Sequence, residues 1–240
     1  MYLTRFRFNT ARSGARRLLG SPHLLHGAVN MAFPVQPARG GEGPRVLWRV
    51  DRDHQSQIQL YIVSPAQPDL THLVEQAGWP TLPEPGWATF AYDGFLGALA
   101  TGDTWSFRLT ANPVHHIRLP QDKPGDRTRR AAHRTPRHQM RWLLERQEKA
   151  GFEVVRKATD RQLTEFGDEH ELTVRDQVPL QFHRPPAARS RQDVRFTRVT
   201  FDGRLRITDP EAFRRTLTHG LGKSKAYGCG LMTIAPVSKQ

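Results

Sequence analysis

Along this chain, residues that alternate apolar and polar at every second position give way to residues with helical spacing and back again, and the order of these changes leaves few folds open. Met1–Asn9, MYLTRFRFN, alternates as a strand with Leu3, Phe6 and Phe8 as its bulk. Ser21 and Pro22 then form a helix start, a capping hydroxyl followed by proline at the first helical position, and the spacing beyond them predicts a helix over 22–33. Val46, Leu47 and Trp48, and then Ile58–Val63, predict two strands joined by a polar turn. Asp69–Ala77 predicts a short helix ending at Gly78, and Trp87–Tyr92 a weaker strand. Strand, helix, strand, strand, helix, strand is the order of the ferredoxin-like fold, which is also the scaffold of the RRM.

The order recurs without recurrence of sequence. A strand is expected at Thr104–Ala111, a helix over 137–150, strands within 152–207, a helix capped by Asp209 and Pro210, and a last strand over 230–235. The expected fold is therefore α+β, with tandem ferredoxin-like (RRM-like) βαββαβ domains: 1–92, a linker at 93–102 where glycine and alanine are frequent, and 103–240. Arg118–Arg134 and the proline-broken His183–Arg191 are expected to be exposed loops.

The chain has 36 Lys and Arg against 23 Asp and Glu, a formal charge of +13 spread from end to end. Because 37% of its residues are hydrophobic, it can bury a core, so the charge belongs to a folded surface and points to a polyanionic partner. No apolar run approaches the roughly 20 residues of a membrane-spanning helix, and the first residues lack the apolar stretch of a signal peptide. A cytoplasmic protein without a membrane partner is expected. A single cysteine, Cys229, excludes an intrachain disulfide and a cysteine-rich zinc site.

On the helix predicted over 22–33, Leu25, Ala28, Val29, Ala32 and Phe33 share one face and can pack on a sheet. His23, His26 and Asn30 fall on another. An imidazole near the positive end of a helix can stay neutral near pH 7 and accept a proton. RNA cleavage needs such a group, because the 2′-hydroxyl loses a proton as it attacks the adjacent phosphate and the leaving 5′-oxygen gains one. His23 and His26 also have the spacing of metal ligands on a helix, but no carboxylate or cysteine lies nearby in sequence to complete a site. No metal and no cofactor are expected.

Near the other end, Gly220, Gly222, Gly228 and Gly230 flank Lys223, Ser224 and Lys225. Glycines let backbone N–H groups approach an anion and lysines neutralise it, which suits phosphate. A Walker A reading of Gly-Lys-Ser fails, because Leu217 occupies the place of the first glycine and the loop follows a helix and precedes a strand. Arg184, Arg189, Arg191, Arg195 and Arg198 accompany a hairpin expected from Leu172–Phe182 and Val194–Thr200. Such a hairpin can track the phosphates of structured RNA or serve only as a charged edge. No segment carries RNP aromatics, so shape and phosphate recognition of a stem is expected rather than base stacking on a sheet.

These segments resemble the CasE family, the CRISPR RNA-processing endoribonucleases of type I-E systems. The resemblance rests on MYLTRFRFN, SPHLLHGAVNMAFP, FRLTANP at Phe107–Pro113, FDGRLRITDPEAF at Phe201–Phe213 and GLGKSKAYGCGLMTIAP from Gly220. It implies two ferredoxin-like domains and metal-independent cleavage of the CRISPR repeat RNA hairpin at the base of its stem, leaving a cyclic phosphate and a 5′-hydroxyl. It also implies retention of the processed RNA and assembly with the subunits of the Cascade complex. His26 matches the family's catalytic histidine. Where family members can carry a tyrosine one turn earlier, this chain has His23, which could supply the acid or only touch phosphate. RNA contacts are implied for Lys223 and Lys225 and for Arg184, Arg189 and Arg191, and Ser224 and Asn30 are expected to join them. The competing expectations are a non-catalytic RNA-binding subunit and, with less support, a DNA-binding regulator, since no helix-turn-helix is evident.

Overall fold

A computed structural model of the protein describes residues 1–35, 43–52, 57–81, 86–118, 128–164, 167–184 and 192–237. In the first half, β1 (Tyr2–Arg7) leads through α1 (Ser13–Leu19) and α2 (Pro22–Asn30) to β2 (Leu47–Arg52) and β3 (Ile58–Ser64). These are followed by α3 (Thr71–Ala77) and β4 (Trp87–Ala91). The four strands are antiparallel in the order β2-β3-β1-β4, the ferredoxin-like arrangement. The period of two along a strand sends successive side chains to opposite faces. Phe6, Trp48, Leu60 and Ile62 turn to one face and pack with Leu25, Val29 and Leu73 of the helices. Leu47, Val63 and the partly buried Leu3 and Tyr61 turn to the other and join the core of the second half. The run Ile58–Ser64 is apolar on both sides because this sheet is covered on both faces.

After α4 (Asp93–Ala98), the second half runs β5 (Thr104–Ala111), β6 (Val114–Ile117), β7 (Arg129–Ala132), α5 (Pro136–Gln147) and β8 (Phe152–Val154). It continues with β9 (Leu172–Arg184), β10 (Gln192–Ile207), α6 (Pro210–His219) and β11 (Met232–Pro236). The second sheet has the order β11-β5-β10-β8, the same ferredoxin-like pattern. Its second-strand place is divided: β8 pairs with Leu205–Ile207 of the long β10, and β9 pairs with the preceding stretch through a register shift at Thr200/Phe201. Thr135 and Asp209 cap α5 and α6, each followed by proline at the helix start. The fold is a tandem ferredoxin-like α+β fold.

Four elements, α1, β6, β7 and α4, depart from the sequence expectation. α1 was not expected: its start has no side-chain cap and only Ala15 and Leu18 are buried. It forms where Gly14 lies so close to α3 that a Cβ there would sit 2.2 Å from the Gln76 carbonyl oxygen. Part of Arg118–Arg134, expected as loop, is β7, held by antiparallel pairing with β6. The segment expected as a linker contains α4; the carbonyls of Leu96 and Gly97 in it and of Leu99 just after it accept from the Arg214 guanidinium at 2.6, 3.2 and 2.9 Å. Of His183–Arg191, residues 183 and 184 end β9 and the rest lies outside the described residues.

A buried arginine joins the two sheets. Arg49 on β2, 2% exposed, donates to both carboxylate oxygens of Asp51 at 2.7 and 2.8 Å. It also donates to the carbonyls of Arg108 and Leu231 at 2.8 and 3.1 Å and to Thr233 Oγ1 at 2.7 Å. These contacts use all five guanidinium N–H groups, the condition under which a buried cation is tolerated. Arg108 beside it grips Asp202 with two bonds of 2.6 and 2.7 Å.

Candidate active site

Ser21 Oγ accepts from the Leu24 amide at 3.3 Å and starts α2, whose Leu25, Ala28 and Val29 are buried in the first core. That anchorage leaves His23, His26 and Asn30 half-buried on the remaining surface. Asn30 Nδ2 lies 3.2 Å from His26 Nε2, one helical turn away. With the amide nitrogen donating, Nε2 presents its lone pair, the tautomer of a neutral ring able to take a proton; a turned amide would instead accept from a protonated ring. Asn30, expected to touch RNA, is thus first a partner of His26.

The glycine-rich loop reaches this helix. The 3-10 turn Lys225–Tyr227 packs against both α2 and β2, which brings the two candidate segments from opposite ends of the sequence into one place. The loop's path needs left-handed backbone at Gly220, Gly222, Gly228 and Gly230, and Ser224 shares it at φ 61°. At Gly228 a Cβ would lie 2.6 Å from the Trp48 ring, so this glycine allows the loop to press on the first sheet. The glycines therefore serve the joint between the halves as well as any approach to phosphate. Ser224 Oγ accepts from Asn112 Nδ2 at 2.8 Å, and Gly230 N donates to the Thr110 carbonyl at 2.6 Å, so β5 and the residues after it hold the loop in shape.

The two lysines differ. Lys223 is exposed. Lys225 is half-buried, with Nζ donating to the His219 carbonyl at 2.6 Å, which closes the loop on the end of α6. Burial, and then the nearby charges of Arg45 and Lys223, hold its pKa below the ordinary lysine range. Arg45 is a cation that the sequence reading missed; it lies just before β2, outside any glycine-rich or hairpin pattern. Tyr227 was missed too. Its ring meets Phe182 of β9 at 4.9 Å and Phe196 of β10 at 5.9 Å, joining the hairpin to the loop. The spacing of Phe182 and Phe196 marks strand faces, but nothing local links them to residue 227. Beneath the site, burial pushes the Cys229 thiol up to about 12, which keeps it protonated and unsuited to nucleophilic attack.

Arg184 ends β9, while Arg189 and Arg191 lie outside the described residues. Among the described residues, no group of three or more His, Cys, Asp or Glu side chains could hold a metal ion, and no helix is long and apolar enough to cross a membrane. The arrangement sets the turn Lys225–Tyr227 against the helix that carries His26, and Tyr227 links that turn to the β9–β10 hairpin.

The profile of the family described as CRISPR associated protein matches residues 1–236. The chain belongs to that family. A CRISPR-associated relative, the endoribonuclease Cse3 of Thermus thermophilus, is 29% identical over 98% of this chain and 100% of its own length. Two solved structures of CRISPR-associated Cse3 superpose with a TM-score of 0.70 at 27% identity and cover 98% of this chain. One, covered over its full length, is bound to a 19 nt RNA. The other, from Thermus thermophilus and 98% covered, is bound to an RNA representing a pre-cleavage complex. The CasE resemblance and the tandem ferredoxin-like fold read from the sequence agree with these CRISPR-associated relatives.

Proposed function

We propose that this protein is a metal-independent endoribonuclease that cuts CRISPR repeat RNA at the base of its stem-loop and keeps the product. The observation that carries the reading is the packing of the His26 helix against the cationic loop, in a chain related over its full length to an endoribonuclease. In the reaction, the 2′-oxygen bonds to the adjacent phosphorus and the bond from phosphorus to the 5′-oxygen breaks. One proton leaves the 2′-hydroxyl and one reaches the 5′-oxygen, giving a cyclic phosphate and a 5′-hydroxyl. His26 serves one of these transfers and His23, one turn earlier on the same surface, supports the other. Lys223 and the loop backbone around Ser224 and Lys225 offset the charge that builds on the phosphoryl oxygens. Asn30 orients the His26 ring, and Arg184, Arg189 and Arg191 extend the contact along the RNA.

In this reading residues 1–92 supply the catalytic helix and 103–240 the RNA-gripping loop and hairpin, with 93–102 between them. The protein works in the cytoplasm, holding its cut RNA within a Cascade assembly. The test is cleavage of a cognate repeat hairpin in EDTA. His26→Ala is expected to bind the hairpin and cut it about 10²–10⁴-fold more slowly. Undiminished cutting by that variant removes His26 from the mechanism. Wild-type binding without cutting, across several repeats, would instead identify a non-catalytic RNA-binding subunit.

A further inference from the structure

A cleft of about 460 Å³ opens between α1, α2 and β2 on one side and β5, β9 and β10 on the other. Its volume falls in the range of about 300–1,000 Å³ usual for ligand clefts, room for one or two nucleotides and not for a duplex. Arg52, Arg108, Arg175 and Arg198 line it, with Asp51 and Asp176. Arg108 and Arg175 are engaged with Asp202, at 2.6 and 3.2 Å. Arg52 and Arg198, which also line the cleft, form no ion pair with a described residue, and the four arginines outnumber the two aspartates there. Trp48 forms part of the wall, and its buried indole N–H has no acceptor among the described residues.

The cleft shares α2 and Trp48 with the candidate active site. Phe196, Arg198 and Thr200 alternate onto one face of β10, opposite Leu180, Val178 and Asp176 of β9. At one end of that face Phe196 meets Tyr227, in the turn that packs on α2. At the other, Arg198 and Thr200 enter the cleft beside Pro22 and Leu25 of the same helix. Aromatic rings followed by arginines form the kind of track on which unpaired nucleotides stack while their phosphates are neutralised. We propose that this cleft is a second RNA-contact site, which holds the unpaired strand flanking the stem and takes its backbone phosphates on Arg52 and Arg198. The proposal rests on the endoribonuclease reading and adds to it a contact outside the stem.

Fluorescence anisotropy on two RNAs tests it, each with deoxyribose at the attacked nucleotide to prevent cleavage. One is the bare repeat stem-loop and the other carries unpaired nucleotides on both sides. The wild-type protein is expected to bind the flanked RNA about tenfold more tightly. Its salt dependence should be steeper by about 1.4 in log K against log salt, from about 0.7 for each of two single-strand phosphates. Arg52→Ala and Arg198→Ala should each lower the flanked-to-bare ratio and remove about half of that extra slope. Arg52 is exposed, so its replacement leaves the core intact. A ratio that is the same in wild type and both variants overturns the cleft assignment, as does a wild-type ratio of one. In the latter case tight binding of the bare stem leaves the endoribonuclease reading standing, whereas failure to bind either RNA removes both.

Discussion

At the scale of single residues, the site separates side chains that the sequence presents as equivalents. Lys223 and Lys225 read alike in a glycine-rich loop, yet one is exposed and the other is tied to the His219 carbonyl. Lys223→Ala should therefore weaken RNA binding evenly across sequences and reduce the salt slope by about one, measured by anisotropy titrations at several salt concentrations. Lys225→Ala should also lower the thermal midpoint, because it removes the bond that closes the loop. Asn30 is a third case. Its contact with His26 Nε2 predicts that Asn30→Ala slows single-turnover cutting more than it weakens binding; an equal loss in both would make it an RNA contact instead. Candidates for proton transfer could be named from the sequence because chemistry limits them to a few types. Their partners could not, apart from those one turn away on the same helix.

At the scale of elements, local signals served where an element begins with a cap and buries one face. Ser21, Thr135 and Asp209, each followed by proline, start α2, α5 and α6. Such signals failed for α1, which needs α3 beside it, and for β7, whose four residues RRAA become a strand only by pairing with β6. The β6–β7 hairpin also brings three imidazoles together: His115 and His133 are 4.5 Å apart between ring centroids, and His133 and His138 6.0 Å. Burial first, and then the charges of His115 and His138, lower the His133 pKa; Arg146 acts in the same direction and Glu145 opposes it. A depressed imidazole pKa means that the unfolded chain takes up a proton which the folded chain resists. Stability is therefore lost as pH falls below the unfolded value of about 6.5, and the loss levels off below the folded one. The melting temperature should be lower at pH 5.5 than at 7.5, and His133→Gln should flatten that difference.

At the scale of the whole molecule, the seam between the two sheets decides whether there is a site. Arg49 holds β2 to β5 and β11, while Gly228 lets the loop press on Trp48 of the same strand. Arg49→Ala leaves the Asp51 carboxylate only its 3.5 Å ion pair with Arg108 and breaks this joint. It should cost about 3 kcal/mol or more in denaturant unfolding, and cutting should fall in parallel as α2 parts from the loop. Leaving cutting unchanged would mean that the seam does not position the site. The sequence by itself determined the capped helices and the main strands, the tandem ferredoxin-like architecture, the positive charge and the histidine, lysine and arginine types available for chemistry. These follow from periodicity, capping and charge, which act over a few residues or as sums over the chain. Only the tertiary structure decided that α2 and the Lys225–Tyr227 turn share one place, that Lys225 is engaged with a carbonyl, that Tyr227 joins the hairpin to the loop, and that an arginine-lined cleft adjoins them. Those contacts link residues far apart in the chain, where the packing of two sheets selects neighbours that local spacing does not encode.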